Sequence, residues 1–246
     1  MYHNNIEIKE GAFIVSDAHY SQIRPQFLDF LKDIDSKKLK PTQIILMGDI
    51  FDALFGEIPY THKTNQEAIN LLNKLSQKIE IIYLEGNHDF NLKKIFPNIR
   101  VYSLDVQPIL CKYNGKKIML AHGDFATDIK YKIYTKIIRN TFVLRALKLV
   151  DSILSHSILN KLDEYLSKKN DCKEFEHFKE FISKRIENKY DVDYFIEGHY
   201  HQNKSINFEK LTYINLGAFA CNQRFFIVKS SKEVELLGEI FFSKGI

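Results

Sequence analysis

Apolar residues along the chain fall into two rhythms. Short continuous runs at Phe13-Ile14-Val15, 44–47 and 79–84 read as strands covered on both faces. Between them, Phe27, Leu28, Leu31 and Ile34, and then Ile69, Leu72 and Leu75, recur at helical spacing. Such alternation predicts βαβ units and a largely parallel sheet. Runs at 101–104, 106–113 and 117–121 are strand-like again, with the hairpin signal Asn114-Gly115 between the last two. Runs at 192–197, 211–216, 224–228 and 234–242 continue the pattern. The fold class it predicts is α/β: two mixed sheets packed as a sandwich, with helices outside.

Residues 127–190 break the rhythm. Ile129, Ile133 and Ile137 are spaced by four, and Phe142, Leu144, Leu147 and Val150 extend that stripe. Ile158, Leu159, Leu162 and Leu166 form a second helical set, and Phe175, Phe178, Ile182 and Ile186 a third. No proline or glycine interrupts the stretch. It reads as three helices, a cap (127–190) inserted within a single domain spanning 1–246.

Composition narrows the class. With 45% hydrophobic and 27% charged residues, the chain can bury a core and is not disordered. No run of about 18 apolar residues could span a bilayer, and the first residues lack the apolar centre of a signal peptide. Cys111, Cys172 and Cys221 are odd in number and far apart, so no disulfide framework or CxxC metal site is legible. A reducing compartment is the expectation. The net charge of +4 is small as a whole-chain property. Divided, it is informative: residues 127–190 hold 14 Lys/Arg against 9 Asp/Glu, a net +5, and the remainder 21 against 22.

Five apolar runs each end in residues able to bind metal. Val15 leads into Ser16-Asp17-Ala18-His19, and Met47 into Gly48-Asp49-Ile50-Phe51-Asp52. Glu85 leads into Gly86-Asn87-His88-Asp89, Ala121 into His122-Gly123-Asp124, and Glu197 into Gly198-His199-Tyr200-His201. Sites in α/β sheets form outside the carboxyl ends of strands. Carboxylate and amide oxygens mixed with imidazoles suit Mn²⁺, Fe or Zn²⁺, and a carboxylate can bridge two such ions. One such cluster alone is usually only a turn; five in sequence are not.

This series resembles the calcineurin-like metallophosphoesterases, whose motifs are Asp-x-His, Gly-Asp, Gly-Asn-His-Asp, a lone His and Gly-His-x-His. The resemblance implies a two-sheet αββα sandwich with two divalent metal ions. Asp17, His19 and His201 would hold one ion and Asn87, His122 and His199 the other, with Asp49 between them. A hydroxide between the metals would be the nucleophile. His88 would contact the phosphate and protonate the leaving oxygen, with Asp89 orienting it. Asp52 and Asp124 would support ligands, and Glu197 has no evident role.

The insertion also resembles the cap of the UDP-2,3-diacylglucosamine pyrophosphatases of lipid A synthesis. Shared features are the GDIFD motif, a helical insertion just after His122-Gly123-Asp124, and Leu216-Gly217-Ala218 near the end. The resemblance implies hydrolysis of a UDP-linked acylated sugar to UMP and 2,3-diacylglucosamine 1-phosphate. Asn87, Asp128, Tyr131, Lys132 and Arg139 would contact substrate. The protein would sit in the cytoplasm, in peripheral contact with inner-membrane lipid. Two departures from that family are His88, where one branch has Arg, and Tyr200, where Thr is usual.

Rival readings on the same motifs are a nuclease, a cyclic-nucleotide phosphodiesterase or a broad phosphatase. The cap is as apolar as it is basic, so nucleic acid is not the expected partner. A non-catalytic scaffold should have lost ligands, and all seven are present.

Overall fold

In the computed structural model, which describes residues 6–125, 129–231 and 236–242, the apolar runs build two six-stranded sheets. The first runs Leu237–Phe241, Arg224–Val228, Phe13–Val15, Gln43–Leu46, Glu80–Leu84, Arg100–Tyr102. Its last four strands are parallel, as the strand–helix alternation predicts. The second runs Ile6–Glu7, Ile109–Tyr113, Lys116–Ala121, Tyr194–Glu197, Thr212–Asn215, Lys204–Asn207, and is mixed. Tyr113 pairs with Lys116 across Asn114 and Gly115, whose φ values of 48° and 76° suit a tight two-residue hairpin.

Side-chain alternation sorts each run onto two faces. Phe13 and Val15, Ile44 and Leu46, and Ile81 and Tyr83 pack outward against α1 (Gln26–Asp35) and, beyond the short α2 (Pro59–Thr64), α3 (Gln66–Leu75). Ile14, Ile45, Ile82 and Leu84 point the other way and meet Cys111, Ile118, Leu120 and Ile196 of the second sheet. Both faces are therefore buried, which is why these strands read as unbroken apolar runs. Each such side chain contributes roughly 1.5–3 kcal/mol on burial, so face-to-face packing, more than local propensity, holds the helices down.

The insertion differs from expectation. Its described residues form four helices: α4 (Ile129–Ile138), α5 (Thr141–Ile153), α6 (Ser157–Lys168) and α7 (Phe178–Ile186). The stripe from Ile129 to Val150 is broken at Asn140, whose side-chain oxygen accepts from Phe142 N (2.9 Å) and Val143 N (3.2 Å) and so caps α5. Moreover α7 is part of the sandwich: Phe178, Ile182 and Ile186 pack on Met119, Ala121 and Phe195 of the second sheet. The cap over the site is α5 and α6, whose Leu144, Leu159 and Leu166 pack on Ala53, Phe55, Ile58 and Phe90, with α4 leading into them.

Three smaller corrections apply. The run 106–113 forms strand only from Ile109, because Pro108 has no N–H to give a ladder. The run 101–104 stops at Tyr102 and turns as a 3-10 helix at Leu104–Val106. Cys172 and Cys221, 49 positions apart, are joined in a disulfide. The fold brings them together through α8 (Phe219–Asn222), whose Phe219 N and Ala220 N donate to Ser16 O and Asp17 O. Cys111 is free and buried, and burial pushes its thiol up to about 12.

Candidate active site

The five polar clusters meet where the two sheets present the carboxyl ends of their central strands. Asp17, His19 and His201 offer ligand atoms within 4.8 Å of one another, and so do Asp49, His122 and His199. His201 Nε2 lies 3.0 Å from Asp17 Oδ1. His122 Nδ1 bonds Met47 O at 2.9 Å, which turns the lone pair of Nε2 inward. That nitrogen faces Asp49 Oδ2 (3.3 Å), Asn87 Oδ1 (3.4 Å) and His199 Nδ1 (3.2 Å).

Four lone-pair atoms converging in this way are complementary to a cation. His19 makes the same case. Its Nδ1 faces Asp52 Oδ1 at 3.2 Å, and its Nε2 is buried with no hydrogen-bond partner. An orphaned buried nitrogen is costly unless something binds it. Burial and the neighbouring His122 push His199 down to about 3, so its ring is neutral and able to ligate. Burial alone would raise Asp49, yet positive charge on the surrounding imidazoles, His122 first and then His88 and His19, holds it well below the usual carboxylate range whenever those rings are protonated. The residues present therefore fit divalent cations.

Positioning these groups takes unusual backbone. Asp17, His19, Asp49, His199 and His201 all have φ between 45° and 63°, a region that ordinary side chains seldom occupy. Close approach also needs glycine. A Cβ on Gly86 would lie 2.1 Å from Asp49 Oδ1, and one on Gly123, at φ 137°, would lie 2.7 Å from His199 Cβ.

The role expected for Asp89 is corrected. His88 Nδ1 bonds the backbone carbonyl of Asp52 at 2.9 Å, so Asp52 and not Asp89 orients the ring. Asp89 instead accepts from Asp49 N, Ile50 N, Gly86 N and Tyr83 Oη at 2.6–3.0 Å, and so ties the Asp49 loop to the Asn87 loop. Burial lowers the pKa of His88 from its ordinary value.

Of the expected substrate contacts, Asn87 lies beside His122, and Tyr131 Oη is 3.5 Å from Asp124 Oδ2. Arg139 is engaged by the protein itself. Its guanidinium donates to Gly86 O (2.7 Å) and Glu85 Oε2 (3.4 Å), and lies over the Phe90 ring at 5.0 Å. It latches α4 to the loop that carries Asn87. Lys132 is exposed on α4, apart from the converging groups. Asp128, like Thr127, lies outside the described residues.

Sequence reasoning missed the buried pair Arg185–Glu197. Arg185 donates to Glu197 Oε1 (2.5 Å) and Gly123 O (2.8 Å), and Tyr213 Oη also donates to Glu197 (2.6 Å). The pair thus braces Gly123 and the end of Tyr194–Glu197, next to His122 and His199. Its only sequence signal was a carboxylate closing an otherwise apolar strand.

The family model for calcineurin-like phosphoesterases matches residues 12–203. The chain belongs to the calcineurin-like phosphoesterases. It is a phosphoester hydrolase on the family's sandwich, and the family implies divalent metal ions at the clusters described above. Among curated proteins it is similar to the UDP-2,3-diacylglucosamine hydrolase of Histophilus somni (strain 129Pt), 26% identical over 83% of this chain and 90% of that one. The enzyme of the same name from Blochmanniella pennsylvanica is 29% identical over 53% of this chain, which spans 54% of that relative's length. A solved phosphoesterase from E. coli aligns with 94% of this chain and 99% of its own, at 10% identity and a TM-score of 0.48.

Proposed function

We propose that this calcineurin-like phosphoesterase hydrolyses the pyrophosphate of UDP-2,3-diacylglucosamine, with Mn²⁺ in its metal sites. One observation carries the reading. An apolar cavity of about 340 Å³ lies between Phe55, Ile58 and Phe90 of the sandwich and Leu144, Leu147 and Leu162 of the cap. Asn87 and His88 line the same cavity. A phosphoester with an acyl-bearing arm would seat its phosphorus at the metal ligands and its chains under the cap. The names of the relatives support the same choice.

Asp17, His19 and His201 would hold one ion, and Asn87, His122 and His199 the other, with Asp49 between them. Bound divalent cations supply activation of water and neutralise charge on the phosphoryl oxygens. The remaining work falls to the chain. Asp52 holds the Nδ1 proton of His88, which leaves Nε2 to give its proton to the departing lipid phosphate. A pKa lowered by burial makes that ring a readier acid when protonated. The cap excludes water from the acyl side.

The proposed location is the cytoplasmic face of the inner membrane, with peripheral lipid contact. Among the described residues, no helix is long and apolar enough to cross a membrane. Ile129, Phe142 and Ile153 are 75–81% exposed on α4 and α5, among Lys130, Lys132, Lys136 and Lys148. A basic, apolar face of this kind suits an anionic membrane surface. The test of the substrate is direct: incubate the Mn²⁺-loaded full chain with UDP-2,3-diacylglucosamine and measure UMP. Release of UMP together with 2,3-diacylglucosamine 1-phosphate is expected. If bis-p-nitrophenyl phosphate is cleaved and UMP does not appear, the substrate is wrong and the family chemistry stands.

A further inference from the structure

Arg24 belongs to none of the five polar clusters. It lies between His19 and α1, yet its guanidinium joins three separate segments of the chain. Nη1 donates to Asp171 Oδ2 at 2.7 Å, and Nη2 donates to Leu166 O at 3.2 Å. The same Nη2 lies 3.6 Å from Asp52 Oδ2. Two of these partners lead on to the metal ligands. Asp52 Oδ1 faces His19 Nδ1 at 3.2 Å, and the backbone carbonyl of Asp171 is bonded to His201 Nδ1. The third, Leu166 O, lies in the last turn of α6, where carbonyls have no partner within the helix.

We propose that Arg24 is a positioning residue for the metal site of Asp17, His19 and His201. Through Asp52 and Asp171 it fixes the Nδ1 side of both imidazoles, which leaves Nε2 of each as the ligand atom. The inference rests on that site holding one of the family's divalent ions.

The arrangement needs a guanidinium. A planar fork with several donors can engage two carboxylates and a carbonyl at once, and an ammonium is a single point of charge. Arg24 is also held in place itself, since its N–H donates to Ser21 O at 3.1 Å. Lys169 is the other cation near Asp171, at 3.4 Å, but its side chain is 42% exposed against 20% for Arg24. Solvated pairs of that kind hold little in place. The second group of ligands is oriented differently. His122 Nδ1 donates to Met47 O, and among the described residues no bond links Arg24 to Asn87, His122 or His199. One arginine therefore serves one ion of the two.

The test is Mn²⁺ binding to the full chain by isothermal titration, in the parent, Arg24→Ala and Arg24→Lys. All three are compared in one oxidation state, because Cys172 adjoins Asp171 and is linked to Cys221. In Arg24→Ala one ion should bind about 10–100-fold more weakly and the other as in the parent. The direction is diagnostic. Loss of a positive charge by itself would strengthen the binding of a cation, so weakening reports lost orientation. Arg24→Lys should recover only part of the affinity. Anomalous scattering from crystals grown at limiting Mn²⁺ identifies the ion. The peak among Asp17, His19 and His201 should fade, and the peak beside Asn87, His122 and His199 should persist. Tighter binding, equal weakening of both ions, or a lower urea midpoint with both ions bound as in the parent would overturn the proposal. If Arg24→Ala does not fold, a smaller loss confined to the same ion is read in Arg24→Lys, and two parent-like ions there overturn it. A parent that binds fewer than two ions would instead contradict the metal assignment itself.

Discussion

Asp49 is the residue at which the two halves of the site meet. It is 2% exposed, sits at φ 50°, and faces His122 Nε2 while its Oδ1 accepts from His88 N. Asp49→Ala should abolish turnover of bis-p-nitrophenyl phosphate and reduce bound metal below two ions per chain, read by elemental analysis. Retained turnover would show that Asp49 does not link the sites. Asp52 acts one step back, facing His19 through its carboxylate and holding His88 through its carbonyl. Asp52→Ala keeps the carbonyl and removes only the carboxylate that faces His19, so it should lower metal affinity by roughly 10–100-fold, the usual cost of losing a group that orients a ligand. An unchanged metal titration would show that the carboxylate does not orient His19. At this scale the sequence was highly legible. Each ligand follows an apolar run, so type and position coincide along the chain. What orients His88 was not legible, because the Asp52 carbonyl reaches it only through the fold.

Helices and loops show where chain-level reading fails. The stripe from Ile129 to Val150 reads as one helix, because Asn140 is a single polar residue in an apolar pattern. Its capping bonds become visible only in three dimensions. α7 has the same periodicity as the cap helices, and only its partners Met119 and Phe195 place it in the sandwich. Arg139 looked free to meet a phosphate and is instead a latch between α4 and Gly86. Arg139→Met should lower stability by about 2 kcal/mol, as expected when charge-assisted hydrogen bonds are lost, with a lower urea midpoint. A midpoint equal to the parent's would mean that α4 is held otherwise. The disulfide is an element-scale feature too. Closing 49 residues should stabilise the fold by about 4 kcal/mol on chain-entropy grounds. Reduction, or Cys172→Ser, should lower the urea midpoint accordingly, and no shift on reduction would show the link to be unimportant. A reducing compartment would keep the two thiols apart, so the contribution belongs to the oxidised protein.

Across the whole molecule, charge and apolar surface are segregated. The excess of positive charge lies at 127–190, and the most exposed large apolar residues lie on α4 and α5. The full chain should co-sediment with anionic phospholipid vesicles, and less so with neutral ones or at high salt. Equal recovery with both vesicle types would argue against a charged membrane contact. The αββα architecture was legible because both faces of the central strands are buried, leaving period-free apolar runs between amphipathic helices. The apolar cavity was not legible, since it is lined by residues from distant parts of the chain. Everything functional still depends on one claim: seven residues at five strand ends hold two cations. Crystals soaked in Mn²⁺ and measured for anomalous scattering test it most directly. The account predicts two peaks about 3.5–4 Å apart, one among Asp17, His19 and His201, the other among Asn87, His122 and His199, with Asp49 between. A single peak, or peaks away from these residues, would contradict it.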